Sequence, residues 1–171
     1  MPNTFSLIAS STVGAGGSAT IDFTSIPSTY TDLCLKVSGR SNNGGNEANC
    51  SISLNGSTAN FSSRALYGDG TSALSFTRTD NTNVFLVTSA GNTASTFGNA
   101  EFYFPNYAGS TNKSFSIDDV TEGNMTSAYA QIHAGLWSNT AAINQITLTI
   151  QGVSALFVQY TTAYLYGIVK S

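Results

Sequence analysis

The sequence has few charged residues, few cysteines, one histidine and no long apolar run. Only 9% of its 171 residues are charged, against roughly 25% in an ordinary soluble domain. A net charge of −3 without a basic stretch gives no electrostatic basis for binding nucleic acid. No apolar run reaches the length of about 18 residues that a membrane-spanning helix requires. We therefore expect neither nucleic acid nor a membrane among the partners.

Cysteine and histidine are too scarce for most metal or thiol chemistry. Cys34 and Cys50 are the only cysteines, and His133 is the only histidine. Two cysteines do not make a disulfide framework, so we predict two free thiols in a reducing compartment, although a pairing stays open. The N-terminal segment lacks a basic n-region and an apolar core, and we predict no secretory signal peptide.

Uncharged polar residues replace the missing charges. The chain has 24 Ser, 22 Thr and 16 Asn, together about 36% of its residues. Its hydrophobic fraction of 41% and its 19 aromatic residues are too high for a disordered chain. Short hydroxyl side chains lose little rotamer entropy in a contact, and few charges mean little sensitivity to salt. This composition favours a protein that docks permanently on a neighbour.

Short β-branched and aromatic runs recur between Gly, Asn, Ser and Asp, which is typical of strands. Their length and regular spacing predict an all-β fold, a single antiparallel β-sandwich that is jelly-roll-like, over residues 1–171. Residues 1–11 are a candidate N-terminal docking strand or arm. Asn55-Gly56 predicts a tight hairpin whose second strand is 61–67, and a helical turn is expected within 138–144. The predicted strands are 5–9, 19–23, 33–40, 48–54, 61–67, 74–77, 84–88, 97–104, 113–121, 128–137, 145–150 and 160–169.

Few residues offer catalytic chemistry. Asp118, Asp119 and Glu122 form an acidic cluster, but adjacent strand residues point to opposite faces and make a poor acid–base pair. A Ca²⁺ site with Asp119 and Asn124 is conceivable and would add stability only. No Gly-x-Ser-x-Gly elbow accompanies His133. We expect no enzyme and no cofactor, although a pair of carboxylates at glycosidase spacing stays open.

Two aromatic strand faces supply the candidate contact residues. On the strand 128–137, one face has Ala130, Ile132, Ala134 and Leu136, which we predict to lie in the core. The opposite face of this strand, which carries the aromatic and polar residues, would then be exposed to solvent. Three interpretations stay open for both aromatic faces: the rim of the core, a subunit interface, or a platform for a glycan. The candidate interface or glycan-contact residues are Tyr129, Gln131, His133, Trp137, Tyr160, Tyr164 and Tyr166.

Five blocks, spread along most of the chain in order, carry a resemblance: 23–33 (FTSIPSTYTDL), 95–101 (STFGNAE), 105–110 (PNYAGS), 135–143 (GLWSNTAAI) and 164–168 (YLYGI). They resemble a group of small virion proteins of tailed phages, many of them marine cyanophages. The resemblance implies a structural protein that decorates the capsid or sits on a fibre. It brings no catalytic residues.

The sequence and the resemblance lead to one main hypothesis. The protein is expected to be a capsid decoration or cement protein on the outer surface of the particle, synthesised in the host cytoplasm. Its partners would be the major capsid protein or another virion protein, and further copies of itself, as a trimer. The candidate docking segment contains Phe5, Leu7 and Ile8. The alternative is a receptor- or carbohydrate-binding module on a fibre or tail. A cleft with acidic side chains beside His133 would contradict a purely adhesive role.

Overall fold

The computed structural model describes residues 4–79, 82–125 and 128–169, and these residues form twelve strands. Each strand overlaps one of the predicted runs. The strands are β1 Phe5–Thr12, β2 Thr20–Phe23, β3 Asp32–Gly39, β4 Glu47–Leu54, β5 Phe61–Gly68, β6 Ala73–Thr79, β7 Asn83–Thr88, β8 Gly98–Phe104, β9 Lys113–Val120, β10 Ala130–Trp137, β11 Ile146–Ile150 and β12 Thr162–Ile168.

The strands form two antiparallel sheets. The large sheet has the order β1-β12-β3-β8-β9-β10-β5-β6, and the small sheet has the order β2-β11-β4-β7. Apolar side chains from both sheets make one core, in which Leu35, Ile52, Phe102 and Leu148 are completely buried. The predicted all-β sandwich is therefore confirmed.

Eight of the twelve strands have the connectivity of a jelly roll. When β5, β6, β9 and β10 are set aside, eight strands remain. The first of them, β1, pairs with the last, β12, and the second, β2, pairs with the second-last, β11. The third and fourth strands likewise pair with their counterparts, β8 and β7. This nested pairing is a long hairpin rolled up into two sheets, which is the jelly-roll topology.

The other four strands widen the large sheet. The hairpins β5–β6 and β9–β10 are insertions that add four strands beyond β8. The edge strand of the small sheet, β7, packs against β8 and β9. We call β10, β5 and β6 the wing, because these three strands extend past the edge of the small sheet. The inner face of the wing, which points toward the small sheet, is therefore only partly covered.

Two local predictions were wrong. Asn55 and Gly56 do form a tight turn with φ of 53° and 73°, closed by reciprocal backbone hydrogen bonds between Leu54 and Ser57. However, β5 pairs with β10 and β6 in the other sheet, not with β4. The predicted helical turn at 138–144 is an irregular segment; the Asn55 side chain holds it by donating from Nδ2 to the Ala142 carbonyl and accepting at Oδ1 from the Asn144 N–H.

The two cysteines are buried and free, as predicted. Burial raises the pKa of the Cys34 thiol to about 11 and also raises that of Cys50, so neither is a reactive thiolate at neutral pH. Across the ranges 4–79, 82–125 and 128–169 there is no helix that could span a bilayer.

Candidate functional site

Strand β10 turns its polar residues inward and its apolar residues outward. Gln131, His133 and Trp137 are 7%, 2% and 1% exposed, whereas Ile132 is 66% exposed. The prediction that Ala130, Ile132, Ala134 and Leu136 lie in the core was therefore wrong. Buried polar groups and exposed large apolar groups are the informative departures from ordinary burial, and this strand has both.

Trp137 belongs to the core and not to a contact surface. Its indole ring stacks on Phe61 with 6.1 Å between ring centroids. Nearby, Gly135 leaves room for the ring of Phe115, which a Cβ at position 135 would approach to 2.2 Å. The predicted role of Trp137 in stacking on a glycan requires an open ring face, and this burial contradicts it.

The outer face of the wing carries an exposed apolar cluster. Leu66 of β5 lies directly opposite Ile132 of β10 in the strand register, and the two side chains are 68% and 66% exposed. We call Leu66, Val120, Ala130, Ile132 and Ala134 the outer patch. They border a shallow depression of about 680 Å³ on the sheet surface and its continuation between β5 and β10.

Charges of both signs flank the outer patch. The exposed Asp118 lies opposite Ile132 on β9, and the exposed Arg64 lies opposite Ala134. Further along the same face, Lys36 and Glu101 form an exposed ion pair at 2.5 Å. The face therefore has an apolar cluster and a balanced polar surround.

The other end of this face carries Phe5 and Leu7 of the predicted docking segment and the predicted contact residue Tyr166. Phe5 and Leu7 are 49% and 55% exposed on β1, which pairs with β12. Leu7 lies opposite Tyr166, and the rings of Phe5 and Tyr166 meet edge to face at 6.2 Å. Residues 5–12 thus form an edge strand of the protein's own sheet.

Three other predicted contact residues have different environments. Tyr164 lies on the same outer face and is 39% exposed. Tyr160 is 68% exposed but precedes β12. Ile8 packs against the core at a bulge in β1, so it is not a surface docking residue.

A cleft lies between the inner face of the wing and the strands β4 and β7. Its volume is about 230 Å³. Of the predicted contact residues, it brings together Tyr129, Gln131 and His133. Nothing in the sequence pattern marks the other lining residues, because they come together only through the pairing of β5 with β6 and β10 and of β4 with β7. The remaining lining residues are Glu47, Asn49, Tyr67, Phe76, Arg78, Val84, Phe85 and Leu86.

The imidazole of His133 forms the floor of the cleft, and a buried acid lies beneath it. Asp119 is completely buried, and its Oδ2 accepts hydrogen bonds from the backbone N–H of Leu86 and from Nε2 of Gln131, each at 3.1 Å. Nε2 of His133 lies 3.4 Å from Oδ1 of Asp119. Burial raises the pKa of Asp119, and contact with His133 opposes part of that rise.

Two acidic side chains lie near the imidazole of the cleft. Nε2 of His133 faces the Asp119 carboxylate and Nδ1 has no hydrogen-bond partner among the described residues, so no hydroxyl nucleophile is paired with the imidazole there. An acidic side chain, Glu47, does line the cleft beside the imidazole, which is the feature that would count against a purely adhesive role. The second carboxylate, Asp119, lies fully buried beneath the floor, where it cannot serve as half of an acid–base pair in contact with substrate.

The conceivable Ca²⁺ site is not assembled. The carboxylate of Asp119 points inward to Leu86 and Gln131, whereas Asn124 lies in an exposed turn closed by Glu122. No group of three or more His, Cys, Asp or Glu residues that could hold a metal ion occurs within the described part of the chain.

Similarity to known proteins does not identify a family for this chain. It matches no protein-family model and no curated protein. Among solved structures, it is similar to lectin I from Ulex europaeus in complex with the methyl glycoside of alpha-L-fucose. That alignment covers 97% of this chain and 99% of the lectin, with 7% identity and a TM-score of 0.21. A likeness at this score carries no inference about fold or ligand.

Proposed function

We propose that this protein is a structural component of a phage particle, which decorates the outer surface of the head and stabilises it by binding neighbouring capsid subunits. The resemblance of five sequence blocks to phage virion proteins supports the placement on a particle. The observation that carries the adhesive role is the outer patch, an exposed apolar cluster on a surface otherwise rich in hydroxyls and amides.

The outer patch has the composition of an interface centre. Leu66 and Ile132 are each about two-thirds exposed, so covering either one contributes about 1–2 kcal/mol. Apolar anchors surrounded by a polar rim are typical of interface hot spots. Because the nearby charges are few and balanced, binding through this face should depend little on ionic strength.

The mechanism is mechanical. A sandwich that bridges two capsid subunits resists their separation when packaged DNA presses the shell outward. Each specific contact needs at least about 1,000 Å² of buried surface, and the eight-stranded face offers a broad surface for it. A trimer that presents three such faces would bridge several subunits at once.

The proposal is tested on purified particles that lack the protein, with recombinant protein added back. The variant Ile132→Asp places a charge in the outer patch without altering the core, and Thr24→Asp adds the same charge at an exposed position after β2. We expect wild type and Thr24→Asp to bind and raise the temperature of capsid rupture, and Ile132→Asp to do neither. The proposal would be refuted if Ile132→Asp bound the particles as tightly as wild type. It would also be refuted if particles that lack the protein ruptured at the same temperature as particles that carry it.

The alternative is a receptor- or carbohydrate-binding module on a fibre or tail, and the cleft is the observation that favours it. Electron microscopy of particles distinguishes the two locations. A regular lattice of copies on the head supports decoration, whereas copies confined to the tail support the alternative.

A further inference from the structure

We propose that the cleft between the wing and strands β4 and β7 binds a single monosaccharide unit, with the rings of Tyr67, Phe76 and Tyr129 as its walls. This inference is separate from the proposed decoration of the head and deepens the alternative function, because the cleft lies on the inner face of the wing and the outer patch lies on the opposite face. A protein docked through the outer patch would keep the cleft turned away from the capsid.

The first argument is the unsatisfied imidazole at the floor. His133 is 2% exposed; its Nε2 faces Oδ1 of Asp119 at 3.4 Å, and its Nδ1 has no hydrogen-bond partner among the described residues. A buried polar group without a partner costs about 1–3 kcal/mol, and such groups in native structures call for an explanation. His133 lines the cleft, so a hydroxyl group bound there would lie beside the ring, and a rotation of the ring would let it pair with Nδ1, which is itself buried.

The second argument is the aromatic wall. The ring of Tyr67 lies 5.8 Å from Phe76 and 6.0 Å from Tyr129, measured between centroids. Phe76 in turn meets the His133 ring edge to face at 5.7 Å. All three wall residues are only partly buried. The guanidinium of Arg78 lies over the Phe76 ring at 4.5 Å, so the ring surface that remains available belongs chiefly to Tyr67 and Tyr129. The C–H groups on one side of a sugar ring pack well on aromatic surface, while its hydroxyls reach polar groups beside it.

The third argument is the polar lining, which suits a neutral ligand with many hydroxyls. Glu47 and Arg78 place one charge of each sign on the cleft, and Asn49 and Gln131 add amides that can both donate and accept. This mixture offers no net charge to select a cation or an anion. A volume of about 230 Å³ lies below the roughly 300–1,000 Å³ of pockets for drug-sized ligands, which limits the occupant to about one ring.

The test is a titration of the full chain with a panel of methyl glycosides of common hexoses, pentoses, deoxyhexoses and N-acetylhexosamines, followed by ligand-observed NMR and calorimetry. We expect at least one glycoside to bind. Tyr129→Ala should weaken that binding about tenfold, by removing one aromatic contact. The matched control Tyr164→Ala removes a partly exposed tyrosine from the outer face and should bind as wild type.

A second variant keeps the test independent of the aromatic cluster. Asn49 is exposed at the cleft mouth, so Asn49→Trp should block entry without disturbing the core, and should abolish binding. The inference is overturned if no glycoside in the panel binds, or if Asn49→Trp or Tyr129→Ala binds as well as wild type. Ile132→Asp should retain glycoside binding, so failure of the docking proposal and failure of this one are separately visible.

Discussion

The orientation of β10 can be tested with two isoleucines that lie on adjacent strands but on opposite faces. Ile117 of β9 is 1% exposed in the core, and Ile132 of β10 is 66% exposed on the outer face. Each is replaced by alanine, and the free energy of unfolding is measured by denaturant titration. The structure predicts a large loss of stability at position 117 and a small one at position 132.

The magnitudes follow from burial. Ile117→Ala removes a fully buried side chain and leaves a cavity, which costs about 2–5 kcal/mol. Ile132 has only about one third of its surface covered. Since full burial of such a side chain is worth about 1.5–3 kcal/mol, Ile132→Ala should cost about 0.5–1 kcal/mol. The two losses therefore differ by at least about 1 kcal/mol, which is resolvable when the slope of the transition is unchanged.

Protein concentration separates folding from association. At concentrations where sedimentation shows a monomer, Ile132→Ala should have only the small effect. If the outer patch binds a second copy, the cost of Ile132→Ala should grow as the concentration is raised, since association stabilises the folded state by mass action. A loss at Ile132 in the monomer that equals the loss at Ile117 would refute the inverted orientation and restore the sequence-based assignment.

Two further predictions concern the floor of the cleft and the packing behind it. Burial raises the pKa of Asp119 above its ordinary value of 3.8, so the folded state holds this proton more tightly than the unfolded state. The free energy of unfolding should then fall as the pH rises from about 4 through the raised pKa. In Asp119→Asn this fall should be absent. If the free energy of unfolding of wild type and of Asp119→Asn changed with pH at the same slope, the prediction would be contradicted. Gly135→Ala should destabilise the fold by about 1–3 kcal/mol, because its Cβ would come 2.2 Å from the buried ring of Phe115. The control Gly14→Ala, with no atom within 4 Å of its Cβ, should unfold at the wild-type temperature, and an equal shift in both would refute the argument.

The strands were predictable because each is a short apolar or aromatic run between turn residues. In strands with one polar and one apolar face, the identity of the buried face was also predictable. In β3, the residues Leu33, Leu35 and Val37 are buried while Lys36 is exposed. In β12, Leu165 is buried opposite the tyrosines, as its alternation indicates. Period-two alternation and burial agree in these strands because only one face is suitable for the core.

The pairing of the strands was not predictable in the same way. The turn at Asn55-Gly56 is a strong local hairpin signal, yet β4 and β5 lie in different sheets. Partner choice depends on contacts that are distant in sequence, such as β4 with β11 and β5 with β10. The cleft was not predictable for the same reason, since Tyr67 and Phe76 lie beside His133 only because β5 pairs with β10 and β6.

The inverted strand β10 shows why the wing, and not the jelly-roll core, is where function should be sought. In the eight core strands, apart from Phe5 and Leu7 on the edge strand β1, the large apolar residues face inward. In the wing, the buried Nδ1 of His133 without a hydrogen bond lowers stability, and the exposed Leu66 and Ile132 gain little from folding. Both departures lie on inserted hairpins that the eight-stranded topology does not need. Features that cost stability and lie outside the basic fold are best explained by sites grafted onto it, one on each face of the same strands.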